Sequence, residues 1–457
     1  MRLHRIAAVA AAGLLCVAAC GGGGDGAGAS GGGGSAATPT VDPNAFRPGA
    51  TTGWSDGGVT VDAAGLRCAD APTDPARGLT ATEIRVGGLA SLTAPGGAAL
   101  AGAELGAEVR FKRANDSGGV HGRKINYLGT KDDGTDPGRS VQLAQSIAER
   151  DQVFAVVPAI SAFPNFLDPL CQAGIPFFGW GTNTAMCENA LGFAFTGCLL
   201  QTDDKSVPSS TGMLTNTVLG GDLAGKTAAV LGSDNDSARQ GVEVFKRTLG
   251  LAGLKVTYAE AAAPTSGVND ATPIVNAIMT SNKGAPPEIM ILSLSFPATL
   301  KITEALRAAG FTGEIVNQVG YDPRLANFAS FKDSLTYLQW APLESAASSP
   351  ALDQLKKDFA EYAPDQTISL TAMAGYWSAD FFLAAVEKAG PDLTAASLLE
   401  LLNGGGYTYE VPGAVAESRW PLNHNVPTPC GSAVRLADGR FEVVQPLACG
   451  ATIPTRG

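Results

Sequence analysis

Residues 82–136 spell out one strand–helix–strand unit, and that unit constrains the fold more than any other stretch. Ile84 and Val86 read as a short buried strand, with Gly87-Gly88 as a tight turn after it. Across 98–115, Leu100, Ala103, Leu105, Ala107, Val109 and Phe111 recur at helical spacing between Glu104, Glu108, Arg110 and Lys112. The run Asn115-Asp116-Ser117-Gly118-Gly119 stops that helix. Ile125, Tyr127 and Leu128 make a second strand, ending in Lys131-Asp132-Asp133-Gly134. A strand, a covering helix and a second strand seed a parallel sheet, so the expected class is α/β.

The rhythm continues downstream. Helical spacing is expected over 137–150 and 166–172, with buried strands at 153–157 and 175–178. A second α/β series starts near Lys205. Its strands are read at 227–231, 255–258, 288–292 and 314–316, and its helices at 211–219, 241–252, 272–280 and 298–309. Helices follow at 352–362, 370–389 and 393–402. The pair 433–436 and 441–444 about Asp438-Gly439 is a β-hairpin signal. A chain of 457 residues is long enough for two or more domains with sizeable cores.

The N-terminal segment reads as an address. Arg2, His4 and Arg5 precede a small, apolar stretch over 6–19 that is too short for a comfortable membrane span. It ends Val17-Ala18-Ala19-Cys20, like a bacterial lipobox, so 1–19 is expected to be a lipoprotein signal peptide and Cys20 the lipidated residue. Residues 20–79 then form a Gly-rich tether and extension, with Trp54 and Cys68 as its expected anchors. No later apolar run approaches membrane length, so the lipid is the only expected membrane contact. The net charge of −11, without a Lys/Arg cluster, argues against nucleic acid.

Eight cysteines are present; Cys16 leaves with the signal and Cys20 takes lipid. An even remainder in an exported chain reads as three disulfides. Sequence alone leaves fifteen pairings open. Proximity favours Cys187–Cys198 and Cys430–Cys449, leaving Cys68–Cys171. No CxxC occurs, so zinc is not expected.

No catalytic set emerges. His121 and His424 lie in polar Gly- or Asn-flanked turns and read as solvated. There is no GxSxG elbow, Walker A loop or HExxH, and no cofactor is expected. Asp132 and Asp133 are adjacent on a strand, point to opposite faces and read as a solvated strand end. What remains is a row of loops at strand carboxyl ends, where open α/β sheets bind ligands. It holds Ser161, Thr182, Asn183, Ser237, Ser295, Phe296, Gln318 and Tyr321. Neutral donors and aromatic walls suit a small polar ligand held by hydrogen bonds and stacking.

The sequence resembles the type I periplasmic binding proteins of the Leu/Ile/Val-binding group. The resemblance rests on Ile84-x-Val86-Gly87, Leu92-Thr93, Asn115-x-x-Gly118-Gly119-Val120-x-Gly122-Arg123-Lys124-Ile125, Lys131-Asp132-Asp133 with Asp136-Pro137, and Ala159-x-Ser161. Looser matches are Val230-Leu231-x-x-Asp234 with Gly241, and Asn269-Asp270. It implies two lobes joined by three hinge crossovers: an N-terminal lobe of 80–203 plus 344–410 and a C-terminal lobe of 204–343 plus 411–450. It further implies a monomer on the outer face of the cytoplasmic membrane, delivering a small molecule to an ABC permease without chemistry on it.

By the same resemblance, Ser91 and Thr93 touch the ligand from the first loop. Ser161 and Asn183 meet a ligand carboxylate near the Gly181 carbonyl, and Ser237 or Ala238 stands where the family has a tyrosine. The acidic partner of a ligand ammonium is missing: Asn317-Gln318-Val319 occupies its place. Asp322 substitutes for it, or the ligand is no α-amino acid. A branched-chain amino acid, an amide, a urea-like molecule and an organic acid therefore all stay open. The rival functions are a sensory receptor lipoprotein, an exported enzyme and a ligand-free structural lipoprotein.

Overall fold

A computed structural model describes residues 41–94, 97–201 and 205–455. The signal peptide, Cys20 and the glycine tether lie outside the described residues. The first series runs β1 (Glu83–Ala90), the two-residue strands β2 (Thr93–Ala94) and β3 (Gly97–Ala98), α1 (Ala103–Asp116), β4 (Lys124–Asp132), α2 (Pro137–Ser146), β5 (Ala155–Ile160), α3 (Leu167–Ala173), β6 (Phe177–Gly179) and β7 (Gly192–Ala194). The second runs β8 (Ser206–Pro208), α4 (Ser210–Val218), β9 (Thr227–Ser233), α5 (Asp236–Leu251), β10 (Lys255–Ala263), α6 (Thr272–Met279), β11 (Ile289–Ser293), α7 (Phe296–Ala308), β12 (Glu314–Asn317) and β13 (Leu335–Leu338). The chain then makes α8 (Pro350–Tyr362), α9 (Leu370–Ala389), α10 (Ala395–Asn403), β14 (Tyr407–Val411), β15 (Val415–Trp420), β16 (Cys430–Ala437), β17 (Arg440–Cys449) and β18 (Thr452–Pro454).

Two sheets carry the molecule. The first has the order β4-β1-β5-β6-β7, with parallel pairing throughout. The second has the order β10-β9-β11-β12-β13-β16-β17; it is parallel up to β13 and antiparallel beyond. Strand order reverses at β1 in one sheet and at β9 in the other. Such switch points leave a crevice at the strand carboxyl ends. This mixed α/β architecture, with parallel cores flanked by helices, is the expected class.

α9 is apolar nearly all round because it is buried: Phe381, Phe382, Tyr376 and Trp377 are all shut from solvent. It packs on α1 at backbone distance. A Cβ on Gly106 would fall 1.8 Å from the Ala372 carbonyl oxygen, and one on Gly375 would fall 1.9 Å from that of Ala103. Only glycine permits such an approach.

Several local expectations need correction. Gly87-Gly88 is no turn; β1 runs straight through it to Ala90, and Gly88 is small because a Cβ would strike Thr130 and Pro158. The first helix starts at Ala103 rather than 98, after Gly102 in the left-handed region. α5 begins at Asp236, with Asn235 capping Ala238 N, so Ser237 sits in a helical first turn rather than a loop. The antiparallel pair β14–β15 is a hairpin that periodicity did not reveal. The extension has a further anchor in Phe46, which packs with Val207 and Ile453.

That extension is a strap. Gly49 bridges to Cys449 and Ser55 to Ala451. Trp54 Nε1 donates to the Glu417 carbonyl at 2.8 Å, and the Arg419 guanidinium lies 4.3 Å from the ring centre. Disulfides join Cys187 to Cys198 and Cys430 to Cys449, the pairs that proximity favours, and Cys68 to Cys171, the pair that then remains.

Candidate functional site

The carboxyl ends of both parallel sheets open on one cavity of about 250 Å³. Ser91 arrives after β1, Ser161 to Phe163 after β5, and Trp180 and Thr182 after β6. From the second sheet come Ser237 at the start of α5, Ser293 to Ser295 at the end of β11, and Gln318 with Val319 after β12. Both switch points therefore face the same space.

A buried carboxylate organises the first wall. Asp133 has no exposed surface. It accepts the Ser91 hydroxyl at 2.6 Å, the Ser161 hydroxyl, and Thr135 N at 3.0 Å. Ser91 Oγ in turn accepts Ala162 N at 2.8 Å, and Ser161 Oγ accepts Phe163 N at 3.2 Å. Asp132 is also occupied. It accepts the Thr93 hydroxyl at 2.6 Å and the amides of Leu92 and Gly134, both at 2.9 Å. Burial acts to raise its pKa, but the Thr93 hydroxyl and these amides outweigh that and hold the carboxyl below its ordinary value. The expected solvated strand end is thus wrong for Asp133, whereas Asp132 stays partly exposed. Their charges are taken up by loops that sequence spacing does not bring together.

The second wall is less satisfied. Ser237 Oγ and Gln318 Nε2 are buried without a hydrogen-bond partner among the described residues, and both residues line the cavity. Trp180 Nε1 donates to Gln339 Oε1 at 3.1 Å, and its ring meets Trp340 edge-on at 5.4 Å. Leu100, Phe163, Leu199, Leu214, Phe245 and Leu294 supply much of the remaining wall. Among the described residues, no Asp, Glu, Lys, Arg or His lines the cavity. The wall is more apolar than the expected row of polar loops implied.

Of the residues singled out from sequence, Ser91, Ser161, Thr182, Ser237, Ser295 and Gln318 line the cavity. The others are occupied elsewhere. Thr93 holds Asp132. The Gly181 carbonyl accepts Leu199 N at 3.0 Å. Asn183 gives an amide proton to the Ser161 carbonyl at 2.7 Å and accepts Ala185 N at 2.8 Å, so it braces the loop; it is buried and does not line the cavity. Phe296 opens α7 and lies under the Arg324 guanidinium at 4.8 Å. Tyr321 donates to Glu344 at 2.7 Å and stacks on Phe441; burial pushes its phenol strongly up. Asp322 is clasped by Arg324 through Nε at 2.9 and 3.0 Å, which leaves it no free charge for a ligand ammonium. Trp180, Phe163 and Gln339 were not singled out. Trp180 stands one residue before Gly181, in a loop already marked by its place after a buried strand.

The histidines differ from one another. His121 Nε2 bonds the Glu387 carbonyl at 2.9 Å. His424 has no exposed surface, contrary to its expected solvation. It lies between Phe193 and Trp420, with Nε2 2.7 Å from Asn403 Oδ1, and burial lowers its pKa to about 3.

A family model described as periplasmic binding protein matches residues 83–440. No curated protein matches the sequence. Among solved structures, a fatty acid ABC transporter substrate-binding protein from Thermomonospora curvata aligns with a TM-score of 0.62 at 17% identity, covering 82% of this chain and 94% of its own. A solute-binding protein of an ABC transporter from Rhodopseudomonas palustris, in complex with 3,4-dihydroxybenzoic acid, aligns at 0.61 and 17%, covering 83% and 99%. The branched-chain amino acid transporter substrate-binding protein LivJ from Streptococcus pneumoniae, in complex with isoleucine, aligns at 0.59 and 17%, covering 80% and 100%.

Proposed function

The chain belongs to the periplasmic binding protein family, and from that premise we propose that it is the extracytoplasmic solute-binding component of an ABC importer. It captures a small molecule between two lobes and presents the closed form to a membrane permease. The observation that carries this reading is the convergence of two switch points, at β1 and β9, on one cavity lined from both sheets. The solved structures of similar fold support the same class, since their names join ABC transport to fatty acid, aromatic acid and amino acid ligands.

In this proposal 80–203 and 344–410 form the first lobe, and 204–343 with 411–450 the second. The last crossover is better placed after β15 than at 411, because Tyr409 and Trp420 both stack on Phe381 of α9. Closure is a hinge motion about the crossovers. Lipidation at Cys20 holds the protein, as a monomer, to the outer face of the cytoplasmic membrane. Replacement of Cys20 by Ala should release the protein from membranes, read by fractionation.

A thermal-shift screen over amino acids, amides, alcohols and aromatic acids tests solute capture. A ligand present at a hundred times its Kd stabilises by about 2.7 kcal/mol. If no solute raises the melting temperature and native mass spectrometry finds no cargo, the proposal fails.

A further inference from the structure

We infer that the solute is uncharged: an apolar body carrying a hydroxyl or amide that can both donate and accept a hydrogen bond. This inference rests on the solute-capture reading and narrows it to a ligand class. Three observations carry it.

First, among the described residues no carboxylate, ammonium, guanidinium or imidazole lines the cavity. Three described carboxylates that could stand in as a counter-charge are already matched. Asp322 is held by Arg324, Glu344 accepts the Tyr321 phenol, and Asp132 is surrounded by donors. An ion entering such a site sheds its water and gains no opposite charge, which is the costly way to bury charge.

Second, the first wall is built to present acceptors. The Ser91 and Ser161 hydroxyls both point their protons inward at Asp133. Ser91, like Asp133, has no exposed surface, so on this wall it is Ser161 that offers a ligand an oxygen lone pair. A ligand carboxylate would meet that lone pair, with the Asp133 carboxylate one bond behind it. Asn183, which the sequence placed against a ligand carboxylate, gives an amide proton to the Ser161 carbonyl, and Thr182 is the hydroxyl left facing the cavity on that side. Asp133 itself is sealed off and cannot touch a ligand ammonium.

Third, the second wall holds two buried groups that lack partners. Ser237 is 6% exposed and its Oγ is unpaired; Gln318 Nε2 is also buried and unpaired. They follow β9 and β12, the strands on either side of β11. Gln318 Nε2 can only donate, so it calls for an acceptor oxygen on the ligand. A hydroxyl or amide satisfies both walls at once: it donates to the serine lone pair of one and accepts from the other. The apolar residues between them take the rest of the molecule.

The test uses matched pairs that keep the body and change the charge: 4-methylcatechol against 3,4-dihydroxybenzoate, 3-methylpentanamide against isoleucine, and 1-octanol against octanoate. Binding to the full chain is followed by tryptophan fluorescence, with Trp180→Phe identifying the cavity signal. Native mass spectrometry of the purified chain identifies any cargo. The expected result is that an uncharged member binds roughly tenfold or more tighter than its ionic partner, or that the cargo is uncharged. Ser237→Ala and Gln318→Leu should each lower that affinity several-fold, roughly the loss of one hydrogen bond, without lowering the melting temperature of the unliganded chain. Equal or tighter binding of an ionic member, or an ionised cargo, overturns the inference and leaves solute capture standing. If no probe binds and no cargo is found, solute capture itself falls, and this inference with it.

Discussion

Asp133 shows how one side chain sets the character of a wall it does not form. It accepts three donors from three loops, and two of them are the serine hydroxyls that face the cavity. Ser161→Ala removes one donor from a buried carboxylate. The expected cost is about 1–3 kcal/mol of folding stability, measured by denaturant unfolding. A loss confined to ligand affinity, with stability unchanged, would contradict this assignment. His424 makes a second prediction at this scale. Burial holds it neutral in the folded chain down to about pH 3, whereas the ordinary value is 6.5. Between those values the unfolded chain binds a proton that the folded chain refuses, so stability falls as pH is lowered through that window. The slope contributed by His424 approaches about 1.4 kcal/mol per pH unit, and His424→Gln should flatten it. Neither role was legible from sequence. Asp133 looks solvated because its donors are as many as 42 residues away, and His424 because Asn423 and Asn425 flank it. Asn423 in fact turns inward, donating to the Val426 carbonyl at 2.8 Å.

Among the elements, legibility followed burial by local pattern. α9 is a long apolar run that no strand of this fold could accommodate, and its span of 370–389 could be read directly. β7, β13, β14 and β15 could not, because each has only three to six residues, and β13 also takes one partner, β16, from far along the chain. Of the candidate site, those positions were legible whose side chains follow a strand end directly. Tyr321 and Phe296 were misplaced because nearby aromatic and cationic groups compete for them. The contact of α1 with α9 gives a prediction whose sign is informative. Gly→Ala inside a helix ordinarily gains about 0.5–1 kcal/mol. Gly250 in α5 has open space around it and should show that gain. Gly106→Ala and Gly375→Ala should instead lose about 1–3 kcal/mol through overpacking, since the atoms in the way are backbone carbonyls. Thermal melts of the three variants would decide; a gain at Gly106 would refute the close contact.

At the scale of the molecule, the strap ties the segment before β1 to distant parts of the fold. Phe46, Trp54 and the 49 and 55 bridges hold it to the C-terminal strands, and Cys68 bonds it to α3. That disulfide closes a separation of 103 residues. Replacing both Cys68 and Cys171 by Ser should cost about 2–4 kcal/mol of stability. Solute affinity should be unchanged, because neither residue lines the cavity. Titration and unfolding of the same double variant measure both.

The second sheet begins with β9 at Thr227, yet β13 is covered by β16 and β17, which end at Cys449. More than two hundred residues must be synthesised after the first strand before the last can pair. From its own synthesis until β16 emerges, β13 presents an unpaired, apolar strand edge, the kind of surface on which chains aggregate. Folding of this half therefore waits for a nearly finished polypeptide. A nascent chain stopped short of residue 430 should remain protease-sensitive and dependent on chaperone cover, however well its first sheet has formed.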